Sequence, residues 1–206
     1  CGEGKPLFEE HFHFGIRTVQ LRMKPMATPS PEPDFQFLIN DVPVRVFGTN
    51  HVPADALHSR DPERFQTIFD LADQLGCNLL RIWGGNLYEP QEFYDECDRR
   101  GLMVWQDFMM GGALYPNDET FCQVIREEAE CAIRMLRQHP SLVLWAGDNE
   151  CDCVPAWGGL ERDPNLNRLT REVLPAVCRE NDPFRPYLAS SPYYSPEAIA
   201  GAVAAG

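Results

Sequence analysis

Strict alternation of short apolar runs with amphipathic helical stretches limits what this chain can fold into more than any other feature. After residue 34, apolar runs of strand length fall at 44–48, 78–83, 102–105, 142–145 and 187–190. Helical patterns separate them. Asp61-Pro62 offers a cap followed by proline at a first helical position, and Phe65, Ile68, Leu71, Ala72 and Leu75 then recur at helical spacing up to Gly76. A second helix is expected over 90–100, stopped by Gly101, and a third over 119–138 with Phe121, Ile125, Ala129, Ile133 and Leu136 facing inward. Asp163-Pro164 opens a fourth helical stretch, which Pro175 must kink or split. A β-α-β-α-β-α-β-α-β order builds an α/β fold, a parallel sheet with helical crossovers. The strand runs are near-continuously apolar, as when both sheet faces are covered. A doubly wound open sheet and a (β/α)8 TIM barrel both meet this description, and periodicity does not separate them. Five strands would be about half to two-thirds of a barrel. No GxGxxG follows the first run and no P-loop is present, which argues against nucleotide binding.

Upstream, residues 12–23 have strand character through Phe14, Ile16, Thr18, Val19 and Leu21, and four prolines interrupt the chain between Pro25 and Pro33. Residues 1–24 are therefore read as the tail of a preceding β domain, 25–36 as a linker, and 37–206 as the alternating domain. The chain opens at Cys1 and closes in an Ala, Gly and Val run over 199–206, so a piece of a longer polypeptide is expected.

The formal net charge is −13, and no Lys/Arg cluster stands out. Such a surface repels nucleic acid, anionic membranes and acidic substrates, and is compatible with a neutral ligand such as a sugar. No apolar run has the length of a membrane span. Of the eight cysteines, Cys77, Cys97, Cys131 and Cys178 sit among apolar residues and read as reduced core thiols. That usage leans towards a reducing compartment, the cytoplasm. Cys151-Asp152-Cys153 lacks a companion His pair or second CxxC, so no metal is assigned there, and no cofactor is implied. Nothing in the sequence gives the oligomeric state.

Catalytic groups of a barrel stand at the carboxyl ends of its strands. Here those ends read GTNH (48–51), RIWGGN (81–86), WQDF (105–108), WAGDNE (145–150) and SSP (190–192). Aromatic faces and polar side chains gathered on one side suit a carbohydrate pocket. Asn149-Glu150 is the sharpest of these signals. A carboxyl just past a buried strand, beside Trp145 and Gly147, stands where burial would keep it protonated, as an acid for a leaving oxygen must be. The plainer reading of Glu150 is a loop carboxylate that caps a helix.

Several ordered stretches together resemble the catalytic barrel of β-mannosidases of glycoside hydrolase family 2. They are 48–55 (GTNHVPAD), 78–89 (NLLRIWGGNLYE), 93–101 (FYDECDRRG), 104–108 (VWQDF), Tyr115-Pro116, 139–150 (HPSLVLWAGDNE) and 182–192 (DPFRPYLASSP). The stretch 14–21 (FGIRTVQL) resembles the last strand of the immunoglobulin-like β-sandwich that precedes that barrel. The resemblance implies a barrel truncated after about five strands, with Glu150 as acid/base and Asn149 on the sugar's 2-hydroxyl. It makes Arg81 the residue that orders the catalytic carboxylates, against an alternative role as a structural ion pair. It also places Trp83 in the sugar pocket, Asp107 at its floor or rim, and Trp157 as a further wall. Tyr88 and Glu89 read as packing and capping residues. The implied reaction is hydrolysis of terminal β-D-mannosides with retention, by a carboxylate nucleophile and an acid/base.

The nucleophile follows a later strand in the family. Glu161, Glu172, Glu180 and Glu197 lie in helical or irregular stretches, so these 206 residues alone are expected to be inactive. Three positions depart from the family pattern: His51 replaces a usual Trp, Asn86 a usual Gly and Asp148 a usual Asn. His51 and Asp148 are candidates to pair with each other or with a sugar hydroxyl. A β-galactosidase, β-glucosaminidase or endo-β-mannosidase on the same scaffold stays open, as does a non-catalytic sugar-binding relative.

Overall fold

The structure is a computed structural model that describes residues 8–9, 14–24, 35–159 and 163–197. Residues 25–34 of the expected linker, Glu161 and the run over 199–206 lie outside the described residues. Three antiparallel strands come first: β1 (Val19–Met23), β2 (Phe35–Ile39) and β3 (Val42–Val44), in the order β1-β2-β3. Asn40 and Asp41, at φ 51° and 62°, make the two-residue turn between β2 and β3. Short polar side chains tolerate this left-handed pair, which matches the strand twist. The hairpin was not expected, although Asn-Asp between two apolar runs is its signal. A single strand over 44–48 is also not what forms. β3 ends at Val44, and the parallel sheet starts afresh at Gly48. Residues 14–18, expected to extend β1, are not strand.

The second sheet is wholly parallel: β4 (Gly48–His51), β5 (Leu79–Ile82), β6 (Met103–Asp107), β7 (Leu142–Ala146) and β8 (Tyr187–Leu188), ordered as they occur in the chain. A doubly wound sheet reverses its strand order at a switch point. Among the described residues this one does not, which argues against that alternative. Four main helices accompany it. α1 (Phe65–Leu75) and α2 (Gln91–Arg100) end on Gly76 and Gly101, both left-handed at φ 70°. α3 (Glu119–Leu136) starts on Asp118, whose side chain accepts from the Phe121 amide. α4 (Val154–Trp157) is a single turn, and α5 (Leu174–Asn181) closes the series. Pro175 acts as expected. The stretch is a 3-10 turn at Pro164–Leu166, widens to a π turn over Leu169–Val173, and becomes α5 where Pro175 falls in the first turn and needs no N–H.

Asp61 does not cap α1. A 3-10 segment (His58–Arg64) precedes the helix, and the buried Asp61 carboxylate accepts from the Asp55 amide at 2.8 Å and lies 3.0 Å from His58 Nδ1. Leu71 and Leu75 share the helical spacing but face outward, being 51% and 74% exposed. Cys131, expected in the core, lies on the exposed side of α3, and Cys77 is half-buried.

The two faces of the parallel sheet have different cover. Leu80, Ile82, Val104, Leu142 and Trp145 pack against Phe69, Phe93, Ile133 and Val177 from the helices. Leu79, Val143, Leu144, Ala146 and Leu188 pack against Val19 and Phe37 of the small sheet. Arg17 fastens the two sheets, donating to the Pro140 carbonyl at 2.7 Å and to that of Leu142. A cavity of about 1010 Å³ opens between the small sheet and β4, β5 and β6, lined by Phe35, Pro43, Thr49, Asn50, Arg81 and Trp105 among others.

Candidate active site

Strand alternation puts Arg81 of β5 and Trp105 and Asp107 of β6 on the face away from the helices, near the carboxyl ends. Arg81 Nη2 donates to Asp107 Oδ2 at 2.7 Å and to Asn149 Oδ1 at 3.0 Å, and Nε donates to Asp107 Oδ1 at 3.3 Å. Trp105 Nε1 reaches Oδ1 at 2.9 Å and the Gly84 amide reaches Oδ2 at 3.0 Å, so each carboxylate oxygen accepts twice. The Arg81 guanidinium also lies 5.5 Å from the Trp105 ring centre. Asp107 is fully buried. Loss of solvent pushes its carboxyl up to about 6, against the downward pull of Arg81.

The loop after β5 is close-packed. A Cβ on Gly84 would stand 2.3 Å from the Met110 carbonyl oxygen, and one on Gly85 would enter the Trp83 ring at 2.2 Å. Glycine at 84 lets the loop approach the backbone after β6, and glycine at 85 lets the half-buried Trp83 ring fold over the loop. Asn149 stands beyond β7, bridged to Gly111 on one side and Ser191 on the other, with its amide donating to the Met110 carbonyl at 2.9 Å. Glu150 follows at φ 65°, half-buried, its amide donating to the Ser191 carbonyl at 3.0 Å.

Arg81, Asp107 and Asn149 thus form one hydrogen-bonded group, with Glu150 next in the chain. Trp157 is 63% exposed on α4, and no hydrogen bond or ring contact joins its side chain to that group. Trp105 was missed as a site residue. Its signal is in the sequence, since it lies two residues before Asp107 on one strand and so on the same face.

The three departures from the family pattern resolve into two clusters. His51 does not pair with Asp148. His51 Nε2 donates to the buried Glu89 Oε1 at 2.7 Å, and Asn86 Nδ2 donates to the same oxygen at 3.1 Å. Glu89 is therefore the acceptor that joins two of the departures rather than a cap. Asp148, fully buried, accepts from the Ser190 hydroxyl and from the Cys151 amide at 3.2 Å, both on Oδ1. Burial and the neighbouring Asp152 push its carboxyl up to about 7, against the Ser190 hydrogen bond. A carboxyl raised in the fold stabilises it only while protonated, so stability is full below about pH 4 and declines as pH rises through 7. Asp107 contributes to the lower part of that decline, up to about 6. Urea unfolding from pH 5 to 8 is expected to show stability falling with pH. Asp148→Asn is expected to flatten the upper part of the decline and to add up to about 4 kcal/mol at pH 8.

Cys151 and Cys153 are buried, with Cys153 Sγ 3.9 Å from the Tyr194 hydroxyl. Among the described residues, the group of three that has the spacing for a metal is elsewhere: Asp95, Asp98 and His139. Both ring nitrogens of His139 are already engaged, by Asp98 at 2.8 Å and Gln91 at 3.0 Å. Glu172 and Glu180 pair with Arg168 and Arg126 on the surface. Among the described residues, no helix is long and apolar enough to cross a membrane.

No family model matches the chain. A β-mannosidase of Capra hircus is 35% identical over 199 residues, covering 92% of this chain and 22% of that protein. One of Rattus norvegicus is 37% identical over 186 residues, covering 86% of this chain and 21% of that protein. Among solved structures, the β-D-mannosidase from Dictyoglomus thermophilum superposes with a TM-score of 0.77 at 40% identity, over 90% of this chain and 23% of that one. The chain spans about a fifth of the length of these relatives. In sequence and in fold the chain is similar to about a fifth of each of these β-mannosidases.

Proposed function

We propose that this chain is part of a retaining exo-β-mannosidase, with Glu150 as its acid/base. The observation that carries the reading is the Arg81–Asn149 hydrogen bond at 3.0 Å, which ties Asn149, the residue before Glu150 just past β7, to the buried Arg81–Asp107 pair. Relatives named β-mannosidases match over about nine-tenths of the chain and support the sugar. We read the sequential sheet, with its helices on one face, as the first five strands of a (β/α)8 barrel. The boundary expected between 36 and 37 falls inside β2, so residues from Phe35 onward are assigned to that barrel, 25–34 to a linker, and 1–24 to the end of an immunoglobulin-like β-sandwich. The pairing of β1 with β2 fastens that end to the barrel's base.

In this reading Asn149 donates to the 2-hydroxyl of the mannosyl unit, while Arg81 and Asp107 hold Asn149 in place. Trp83 and, at the rim, Trp157 cover apolar faces of the sugar. Glu150 protonates the leaving oxygen as a second carboxylate attacks the anomeric carbon, and then deprotonates the water that releases the glycosyl group. That carboxylate, about 5–5.5 Å from Glu150, belongs to the part of the relatives this chain does not span. The partner is a neutral β-mannoside, and no metal or organic cofactor enters the scheme.

Hydrolysis of aryl β-mannoside, β-glucoside, β-galactoside and β-glucosaminide by the complete enzyme tests the sugar. The β-mannoside is expected to be preferred by at least about tenfold in kcat/KM, a margin one well-placed hydroxyl contact supplies. Preference for another sugar would overturn the mannosidase reading and leave the retaining mechanism standing.

A further inference from the structure

We propose that Asp148 is a positioning residue for Glu150, closing the turn that holds the acid/base and fastening that turn to the segment after β8. The inference rests on the reading of Glu150 as acid/base. Glu150 sits at φ 65°, a left-handed conformation disfavoured for any residue with a Cβ. Such a backbone persists only where surrounding bonds hold it, and it concentrates where a side chain must be aimed.

Those bonds can be followed one by one. Asp148 Oδ1 accepts the Cys151 amide at 3.2 Å, closing the turn around Glu150 from within. The same oxygen accepts the Ser190 hydroxyl, and the Ser191 amide donates to the Asp148 carbonyl at 3.2 Å, so the turn is fixed to its neighbour. On the far side, Asp152 Oδ2 accepts the Tyr194 amide at 3.1 Å and Arg171 Nη2 at 2.5 Å. Two buried carboxylates, two residues before and two after Glu150, therefore fasten one turn to one segment, 190–194. Gly147 removes the remaining play, since a Cβ there would stand 2.2 Å from the Ala189 carbonyl oxygen. Asp148 is fully buried and shares no hydrogen-bond partner with the Arg81–Asp107 pair. It acts through Glu150 rather than on the sugar. A misplacement of about 1 Å at the acid costs on the order of 100-fold in rate.

The test uses the complete enzyme with aryl β-mannosides of poor and of activated leaving groups. Asp148→Leu is expected to lower kcat/KM on poor leaving groups by about 10- to 100-fold and to spare kcat/KM on activated ones, since only the former need the acid in the first step. Ser190→Ala is expected to show a smaller loss in the same sense, and it carries the test if Asp148→Leu does not fold. Asp148→Asn keeps the Oδ1 acceptor and is expected to restore most of the rate. A uniform loss across leaving groups, or no loss, in both Asp148→Leu and Ser190→Ala overturns the inference and leaves Asp148 a structural residue. If Glu150→Ala itself lacks the leaving-group dependence, the acid/base reading fails, and this inference falls with it.

Discussion

Glu150→Ala in the complete enzyme is expected to lower kcat/KM on β-mannosides with poor leaving groups by about 100- to 10,000-fold, the range a positioned general acid supplies. An alkoxide leaves slowly unless it is protonated as the bond breaks, so the loss is largest for natural saccharides. An activated aryl group leaves without help, and there the first step survives. The second step still needs a base to take the proton from water, so the glycosyl-enzyme accumulates and KM falls with kcat. Azide needs no base and fits the space the side chain vacates, so it is expected to restore turnover on activated substrates and to give the β-glycosyl azide. Equal loss on every leaving group, with no azide rescue, would show that Glu150 is not the acid/base.

Asp107→Ala has the largest expected effect on the folded state. Its four accepted hydrogen bonds come from Arg81 twice, Trp105 and Gly84. Removal leaves the Arg81 guanidinium, 14% exposed, with Asn149 as its remaining side-chain hydrogen-bond partner, and strands the buried Gly84 amide and the half-buried Trp105 N–H. Breaking a buried pair at one end costs about 3–5 kcal/mol. A loss of that size is expected in urea unfolding, and a loss below about 1 kcal/mol would mean that water replaces the carboxylate. Activity should fall with stability, because Arg81 is what holds Asn149. Asp107→Asn keeps one acceptor and is expected to lie between the two.

Much of this arrangement is legible in the sequence for identifiable reasons. Apolar periodicity and the stops at Gly76 and Gly101 give the helices within a few residues, because a left-handed stop needs glycine. Pro175 marks the break before α5 through its missing N–H alone. What stayed hidden depends on contacts remote in sequence. Leu71 and Leu75 share the helical spacing of the core residues, but where the stripe ends is set by the sheet beneath, not by the helix. Asp61 has the look of a cap, yet the amide of Asp55 and the ring of His58 claim its oxygens first. At the site, residue types at strand ends point to Arg81, Asp107 and Asn149 as a set. Which acid His51 meets is fixed by a fold-back of the loop at 84–89 that no local pattern announces.

The order of the parallel sheet bears on how the chain is made. Each strand from β5 to β8 pairs with the strand synthesised just before it. Synthesis from the amino end, at about 5–20 residues per second, lets each new β-α unit dock on a finished neighbour. β4 is the exception on its outer side. It is the first strand of this sheet to leave the ribosome, and Gly48, Thr49 and Asn50 are exposed beside Val46 and Phe47. An open edge of this kind is a template for pairing with a stray strand from another chain.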